Sequence, residues 1–413
     1  MKIIAKNNLD LRPQEGDFST TTLIELTPNA GLQRIPSNVV FLVDASSSMG
    51  GSKWQMVKQA LGELVESLKD DDRVALVLFG TSPKEIFPLA SLAANRKTMR
   101  DAIGKLDNPS GVTNLDGGLK MAYGLFDARS EADKAKRVNH VILLTDGFAT
   151  DNQGYRVEKF DKYENIVRQH ENITLTGVGI GSAEDYDSKF IGDLSELGRG
   201  SYYHANDLEK FKEGLRAEMQ KLQSSVIGEL TLKFSNVQGR IMRIARIAPE
   251  IVIYDVPGNA KSFELATGSM TKDMTAFIVT TNSGKGGTAG TEIPLFSIEA
   301  DYDSSLTEKI DVKIRTTERE ADLTQMHPDV FRAIQVLQVH LNGEAIQLSL
   351  AQGDKAKATR LIDNTTRIAS NLGQDKVNKA LTRLAQDIRA GKSGSDNLAT
   401  IKDEAKKTRL LIS

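Results

Sequence analysis

Oxygen-bearing side chains follow two apolar runs of this sequence at the point where each run ends. The stretches NVVFLVDASSSMGG (residues 38–51) and VILLTDGFATD (residues 141–151) both pass from apolar residues to an aspartate. A polar loop, PSGVTNLDGG (residues 109–118), supplies a threonine. Carboxylates and hydroxyls are the hard oxygen ligands that suit Mg²⁺. The candidate metal ligands are Asp44, Ser46, Ser48, Thr113 and Asp146.

The elements that must position these side chains alternate between strands and helices over residues 38–224. Runs rich in Val, Ile and Leu predict buried strands at Val39–Val43, Arg73–Phe79, Val138–Thr145 and Ile173–Val178. Amphipathic segments predict helices at Lys53–Lys69, Arg96–Leu106, Leu115–Ala128, Val157–His170, Asp187–Leu197 and 208–223. This alternation predicts an α/β, Rossmann-like fold with a doubly wound, mostly parallel sheet. Ligands bind such sheets at the carboxyl ends of the strands, where both aspartates fall.

Each candidate ligand also has a purely structural interpretation. Ser48 suits the N-cap of the following helix, and Asp44 suits an Asx-turn that accepts loop amides. Thr113 suits a turn or a cap. An isolated D-x-S-x-S pattern is weak evidence, because average residue usage produces it by chance. Its position at one strand end, with a second aspartate at another strand end, favours the metal site.

The rest of the chain changes pattern twice. Period-2 alternation over 228–318 predicts an antiparallel β-sandwich or small barrel, with domain bounds 225–318. We expect strands within residues 1–36 to complete that β-domain, because exposed edge strands are a liability. Residues 319–413 predict a helical domain, either a bundle or a stack of helical hairpins. With residues 37–224 as the α/β domain, the chain has three folded parts.

Composition limits the classes of function. Lys plus Arg number 53 and Asp plus Glu number 55 in 413 residues, so global charge disfavours binding to nucleic acid. The chain has no cysteine, which removes disulfides, thiolate metal sites and a cysteine nucleophile. The first residues, MKIIAKNNLDLRP, lack the apolar segment of a signal peptide, and we predict no membrane span. We therefore expect a cytoplasmic protein.

Residues 37–220 resemble the von Willebrand factor A (vWA) family, in particular its bacterial, multidomain members. The family's metal-ion-dependent adhesion site has D-x-S-x-S in a first loop, a threonine in a second and an aspartate in a third. Here these are Asp44, Ser46 and Ser48, then Thr113, then Asp146. The stretches VTNLDGGLKMAY and GSYYHANDLEKF also resemble vWA sequences. One departure is Val112, where many relatives have Gly or Ser; it removes no ligand.

The resemblance implies a function. In the family pattern the serines Ser46 and Ser48 bind the ion directly, and Thr113 binds it directly in the ligand-bound state. The two aspartates bind it directly or through water, and an Asp or Glu carboxylate from a partner protein completes the site. We therefore expect a non-enzymatic, Mg²⁺-dependent protein-interaction module, with Ca²⁺ or Mn²⁺ as alternative ions. AAA+ ATPases and signalling proteins are candidate partners by analogy.

Two other classes of function remain open. One is a structural or assembly protein whose ion site is vestigial or purely structural. The other is a hydrolase that uses metal-bound water, for which the sequence places no general base beside the ion.

Overall fold

The computed structural model describes residues 1–9, 18–130, 136–151, 153–157, 160–283, 288–302, 305–307 and 309–407. The chain forms two compact units. Residues 33–229 make the first, here named the α/β unit. Residues 1–32 and 230–413 together make the second, here named the discontinuous unit. The last residues of the lysine-rich segment predicted as the final helix, 408–413, lie outside the described residues.

Strands are numbered along the chain, and the first two belong to the discontinuous unit: β1 (Lys2–Asn7) and β2 (Phe18–Thr27). The α/β unit then contributes β3 (Ser37–Asp44), β4 (Arg73–Phe79), β5 (Lys84–Ser91), β6 (Val138–Thr145), β7 (Ile173–Ile180) and β8 (Arg199–Ala205). Its helices are α1 (Ser52–Ser67), α2 (Leu92–Gly104), α3 (Leu115–Asp127), α4 (Asp161–Arg168), α5 (Ser188–Leu197) and α6 (Leu208–Ser224).

The sheet of the α/β unit has the order β5-β4-β3-β6-β7-β8, with every neighbouring pair parallel except β4 and β5. One face packs against α1, α2 and α6, through side chains such as Leu61 and Phe211. The opposite face packs against α3, α4 and α5, through side chains such as Leu119 and Ile191. Because both faces are covered, β3 and β6 are buried along their whole length. The predicted α/β class is confirmed, and the carboxyl ends of β3 and β6 lie side by side.

Strand β5 is absent from the sequence-based prediction. It pairs antiparallel with β4 at the edge of the sheet and contains Pro88. Proline removes a donor from the ladder and is tolerated at an edge. The local sequence pattern did not predict this strand, because its residues alternate in exposure and include a proline. Pairing with the neighbouring β4 stabilises it.

The discontinuous unit contains two antiparallel sheets. Its later strands are β9 (Ser225–Ser235, which begins in the α/β unit), β10 (Arg240–Ala248), β11 (Val252–Tyr254), β12 (Phe263–Thr271), β13 (Thr275–Ser283), β14 (Glu292–Tyr302), β15 (Ser305–Leu306) and β16 (Ile310–Arg315). One sheet has the order β1-β2-β13-β10-β11. The other has the order β12-β9-β14-β15, with β16 also paired to β14. The N-terminal strand β2 therefore lies between β1 and β13, in a sheet with strands far along the chain.

Helices complete the discontinuous unit: α7 (Glu320–Thr324), α8 (Pro328–Ala351), α9 (Lys355–Asn371), α10 (Asp375–Arg389) and α11 (Ser395–Lys406). Helix α8 packs Val330 and Ala333 against the first sheet, where Leu23 and Ile278 are buried. Further along, α8 shares a second core with α9, α10 and α11. The predicted boundary after residue 318 thus falls inside one compact unit.

Candidate functional site

The candidate site lies at the carboxyl edge of the α/β sheet. Asp44 is the last residue of β3, and Asp146 follows β6 directly. The two strands are parallel neighbours, with Val43 opposite Leu144, so the two aspartates leave the sheet at the same place. Thr113 reaches this edge from the loop that precedes α3.

Asp44 is a fully buried carboxylate with well-defined partners. Its Oδ1 accepts a 2.8 Å hydrogen bond from the backbone N–H of Ser46, and its Oδ2 accepts a 2.6 Å bond from the Thr145 hydroxyl. The pKa of Asp44 is raised to about 6, mainly by burial and also by nearby Asp146, although the bonds from Ser46 and Thr145 oppose the shift. The ionised form is therefore costly unless a cation accompanies it.

The two serines join this carboxylate to the second one. The hydroxyls of Ser46 and Ser48 lie 3.1 Å apart, and the Ser48 hydroxyl donates a 2.8 Å bond to Oδ1 of Asp146. A short 3₁₀ turn, Ser47–Met49, carries Ser48, and the buried Met49 side chain anchors that turn. The hydrogen-bond partners of these hydroxyls are thus site residues.

Gly147 leaves open the space that these oxygens surround. A Cβ at this position would lie 3.3 Å from Thr113 Oγ1, 3.6 Å from Ser48 Oγ and 3.7 Å from Asp44 Oδ2. Oxygens from two loops thus converge on one small volume beside a residue without a side chain, and the bond from Ser48 brings Asp146 of the third loop to the same place. The structure brings together all five predicted ligand residues.

Hydrogen bonds between loops hold the threonine in place. The backbone N–H of Thr113 donates to Thr150 Oγ1 at 2.8 Å, and the N–H of Thr150 donates to the Thr113 carbonyl at 2.9 Å. The N–H of Ser110 donates to the Ala45 carbonyl at 2.8 Å. The Asn114 side chain caps α3 by accepting from the Gly117 N–H at 3.1 Å. This loop is therefore fixed from both sides, which pre-organises its hydroxyl.

Lys53 belongs to the same site, and the sequence reasoning missed it. Its ammonium lies 2.5 Å from Oδ2 of Asp146, whose side chain has no exposed surface, while the lysine side chain is 27% exposed. The available signal was its position in the first turn of α1, the helix that begins just after the serine loop.

The chemistry of this donor set fits a hard divalent cation. Two carboxylates and three hydroxyls are oxygen ligands of the type that Mg²⁺ and Ca²⁺ prefer. The Ser46 and Ser48 hydroxyls are hydrogen-bonded to each other, and the Ser48 hydroxyl also donates to Asp146. Among the described residues, no helix combines the length and apolar character required to cross a membrane.

Comparison with known proteins agrees with this architecture. Residues 38–217 match the family model of the von Willebrand factor type A domain. These residues form a vWA domain. The predicted relationship to vWA proteins, bacterial ones included, is confirmed by this match and by the relatives below.

The vWA domain has curated relatives in bacteria and animals. The chain is 27% identical over 196 residues to the uncharacterized protein YfbK of Escherichia coli. The aligned region covers 46% of this chain and 32% of YfbK. It is 30% identical over 175 residues to mouse inter-alpha-trypsin inhibitor heavy chain H2, covering 41% of this chain and 18% of that protein. The chain thus spans about a third of the first relative and under a fifth of the second.

Two solved structures resemble the chain over nearly its whole length. A von Willebrand factor type A protein from Catenulispora acidiphila superposes with a TM-score of 0.81 at 18% identity, covering 98% of this chain and 97% of that one. The ArnB paralog VWA2 from Sulfolobus acidocaldarius has a TM-score of 0.63 at 16% identity and covers 98% of each chain. At these identities the similarity shows a shared fold.

Proposed function

We propose that this chain binds a partner protein through a divalent ion held at the carboxyl edge of its vWA sheet. The ligand residues are Asp44, Ser46, Ser48, Thr113 and Asp146, and the ion is Mg²⁺, with Ca²⁺ and Mn²⁺ as alternatives. The observation that carries the proposal is the convergence of Thr113, Ser48 and Asp44 oxygens around the space left by Gly147.

Electrostatics supports this proposal. Asp44 and Asp146 both have fully buried side chains within one small site. Two buried carboxylates repel each other, and burial, together with the nearby charge of Asp146, raises the pKa of Asp44 to about 6. A divalent ion between them offsets this repulsion and favours their ionised forms. The hydroxyl ligands carry no charge, so the ion keeps its attraction for a further anion.

The partner supplies that anion as an Asp or Glu side chain. A carboxylate is the protein ligand that hard cations prefer, and it gives the contact its dependence on the ion. In this proposal the module acts by binding and not by catalysis, as the resemblance to the vWA family implies. AAA+ ATPases and signalling proteins are the partner classes we propose by analogy with bacterial relatives.

Affinity capture with paired variants tests the proposal. Tagged wild type, Thr113→Ala and Ser47→Ala are incubated with host lysate in Mg²⁺ and in EDTA, and retained proteins are identified by mass spectrometry. Ser47 is the matched control, because its exposed hydroxyl donates to the Gly111 carbonyl and is not a proposed ligand.

We expect one partner to be retained by wild type and Ser47→Ala in Mg²⁺ and lost in EDTA and in Thr113→Ala. The contact is then rebuilt from purified proteins, and neutralising one Asp or Glu of the partner must abolish it. Identical retention under every condition would contradict an ion-bridged contact.

A further inference from the structure

We infer that Lys53 sets the charge of the ion site so that ion and partner carboxylate bind cooperatively. This inference rests on the proposed function, because it concerns the same ion. Lys53 is a positive charge built into the site, and it lowers the intrinsic affinity for a cation while raising the demand for an external anion.

The location of Lys53 is electrostatically unusual. It is the second residue of α1, whose first turn contains no acidic residue. Cations are disfavoured near the N-terminus of a helix, where the backbone dipole is positive. The ammonium is stabilised by carboxylates from other loops: it lies 2.5 Å from Asp146 Oδ2 and 4.0 Å from Asp185 Oδ2.

The two oxygens of Asp146 have different partners. Oδ1 accepts from the Ser48 hydroxyl at 2.8 Å, and Oδ2 accepts from the Lys53 ammonium at 2.5 Å. The lysine therefore approaches the carboxylate on one oxygen and leaves the oxygen beside Ser48 to the ligand set. It neutralises Asp146 without replacing the ion.

Gly181 gives the lysine a defined place. A Cβ at this residue would lie 3.3 Å from both Lys53 Cε and Nζ, and 3.1 Å from Asp185 Oδ2. Gly181 has φ +103°, in the region that favours glycine. The backbone at Gly181 thus borders the ammonium closely, so the lysine is held within the site.

A count of charges gives the consequence. Asp44 and Asp146 contribute two negative charges and Lys53 one positive charge, which leaves one negative charge within the site. A divalent ion brings the total to one positive charge, and a single carboxylate from the partner brings it to zero. Asp185 is 51% exposed, so water screens its contribution. The ion site is therefore complete only with an external carboxylate, and by linkage each ligand strengthens binding of the other.

Calorimetric titration of the full chain with MnCl₂ tests this inference. Titrations are run in chloride buffer and in sodium acetate of equal ionic strength, acetate standing in for the partner carboxylate. The variants are Lys53→Met and Lys53→Gln, which remove the charge, and Lys53→Arg, which keeps it. Lys58→Met is the matched control, because Lys58 lies on the same helix and donates to the Gly104 carbonyl.

We expect Mn²⁺ to bind both neutral Lys53 variants about tenfold more tightly than wild type in chloride, since a nearby like charge is removed. Acetate should strengthen Mn²⁺ binding by wild type, Lys53→Arg and Lys58→Met, and strengthen it less in the neutral variants. Circular dichroism and thermal unfolding verify that each variant is folded.

Two results overturn different claims. If wild type binds Mn²⁺ and both neutral variants bind it equally or more weakly, the inference is wrong and Lys53 only positions Asp146. If neither wild type nor any variant binds Mn²⁺, or Mg²⁺ when the titrations are repeated with MgCl₂, the proposed function is wrong, and the inference falls with it.

Discussion

The Ser48 hydroxyl donates a 2.8 Å hydrogen bond to Oδ1 of Asp146, a residue 98 positions further along the chain. This bond joins the loop after β3 to the loop after β6. Because β3 and β6 are neighbouring parallel strands, their registration fixes how far apart these two loops begin. The geometry of the proposed ligands thus depends on the register of the sheet.

Removal of the Ser48 hydroxyl should weaken ion binding. In Ser48→Ala the ion loses one proposed ligand and Asp146 loses a partner, so we expect affinity to fall about tenfold or more. The free energy of unfolding without metal should fall by about 1 kcal/mol, the usual contribution of one hydrogen bond. Calorimetric titration and urea denaturation measure these two quantities. Ser47→Ala, which loses only an exposed bond to the Gly111 carbonyl, should match wild type in ion affinity, and equal losses of affinity in the two variants would argue against a specific role for Ser48.

A methyl group at Gly147 should block the ion while leaving the fold intact. The new Cβ would lie between 3.3 and 3.7 Å from three proposed ligand oxygens, in the space they surround. Gly147 is not one of the described glycines that have a positive φ, so alanine is compatible with its backbone. We expect Gly147→Ala to lose Mn²⁺ binding and to unfold within about 1 kcal/mol of wild type.

Gly124→Ala is the matched control for that substitution. Gly124 lies within α3, and a Cβ there would meet no atom within 4 Å beyond its chain neighbours and its own helix backbone, so alanine should preserve ion binding. It should also raise stability by up to about 1 kcal/mol, since alanine favours helix. Unchanged ion affinity in Gly147→Ala would show that the ion does not occupy this space.

Asp44 should make the metal-free protein less stable as pH rises. Its pKa is raised to about 6 by burial, above the value near 4 of an exposed aspartate. The protonated form is thus favoured by folding, and its contribution is complete below about pH 4 and is lost as pH rises through about 6. The shift corresponds to roughly 3 kcal/mol at most.

Urea denaturation in EDTA between pH 4 and 7.5 measures this contribution against Asp44→Asn, which cannot titrate. The difference in unfolding free energy, wild type minus variant, should decrease with rising pH, most steeply below about pH 6. A difference that is constant across this range would mean that Asp44 titrates normally when buried.

Loss of the N-terminal strands should destabilise the discontinuous unit. Strand β2 pairs with β13 from Phe18 opposite Ser283 to Leu26 opposite Thr275, and β1 covers the outer edge of β2. Deleting residues 1–32 exposes the unpaired edge of β13, so we expect low soluble yield or a strongly lowered thermal midpoint. Deleting only residues 1–8 removes the edge strand and should have a smaller effect. Wild-type stability in both truncations would show that β2 is dispensable.

The local sequence pattern was sufficient to predict the two strands that lead to the aspartates. The predicted run Val138–Thr145 coincides with β6, and Val39–Val43 lies within β3. Both strands are buried on two faces, so their apolar residues are nearly continuous and their ends are marked by polar ones. The convergence of Asp44 and Asp146 follows from parallel pairing alone, although their role as ligands stays a prediction.

The local sequence pattern could not predict contacts between distant segments of the chain. Lys53 pairs with a residue 93 positions away, and a lysine in the first turn of a helix has the pattern of a solvated side chain. The start of α2 was placed too late, at Arg96, because its cap residue Ser91 is also the last residue of the unpredicted strand β5. In both cases the structure depends on a partner that is brought close only by folding.

The pairing of β2 with β13 has a consequence for synthesis on the ribosome. Leu26 leaves the ribosome about 250 residues before its partner Thr275, and the entire vWA domain is made in between. That domain is contiguous and has its own core, so it can fold before the nascent β1–β2 hairpin can pair with β13. During this interval Leu23 on one face of the hairpin and Ile24 on the other, both buried in the folded unit, are without their final cover. Nascent-chain binding by chaperones should therefore concentrate on the first thirty or so residues until β13 emerges.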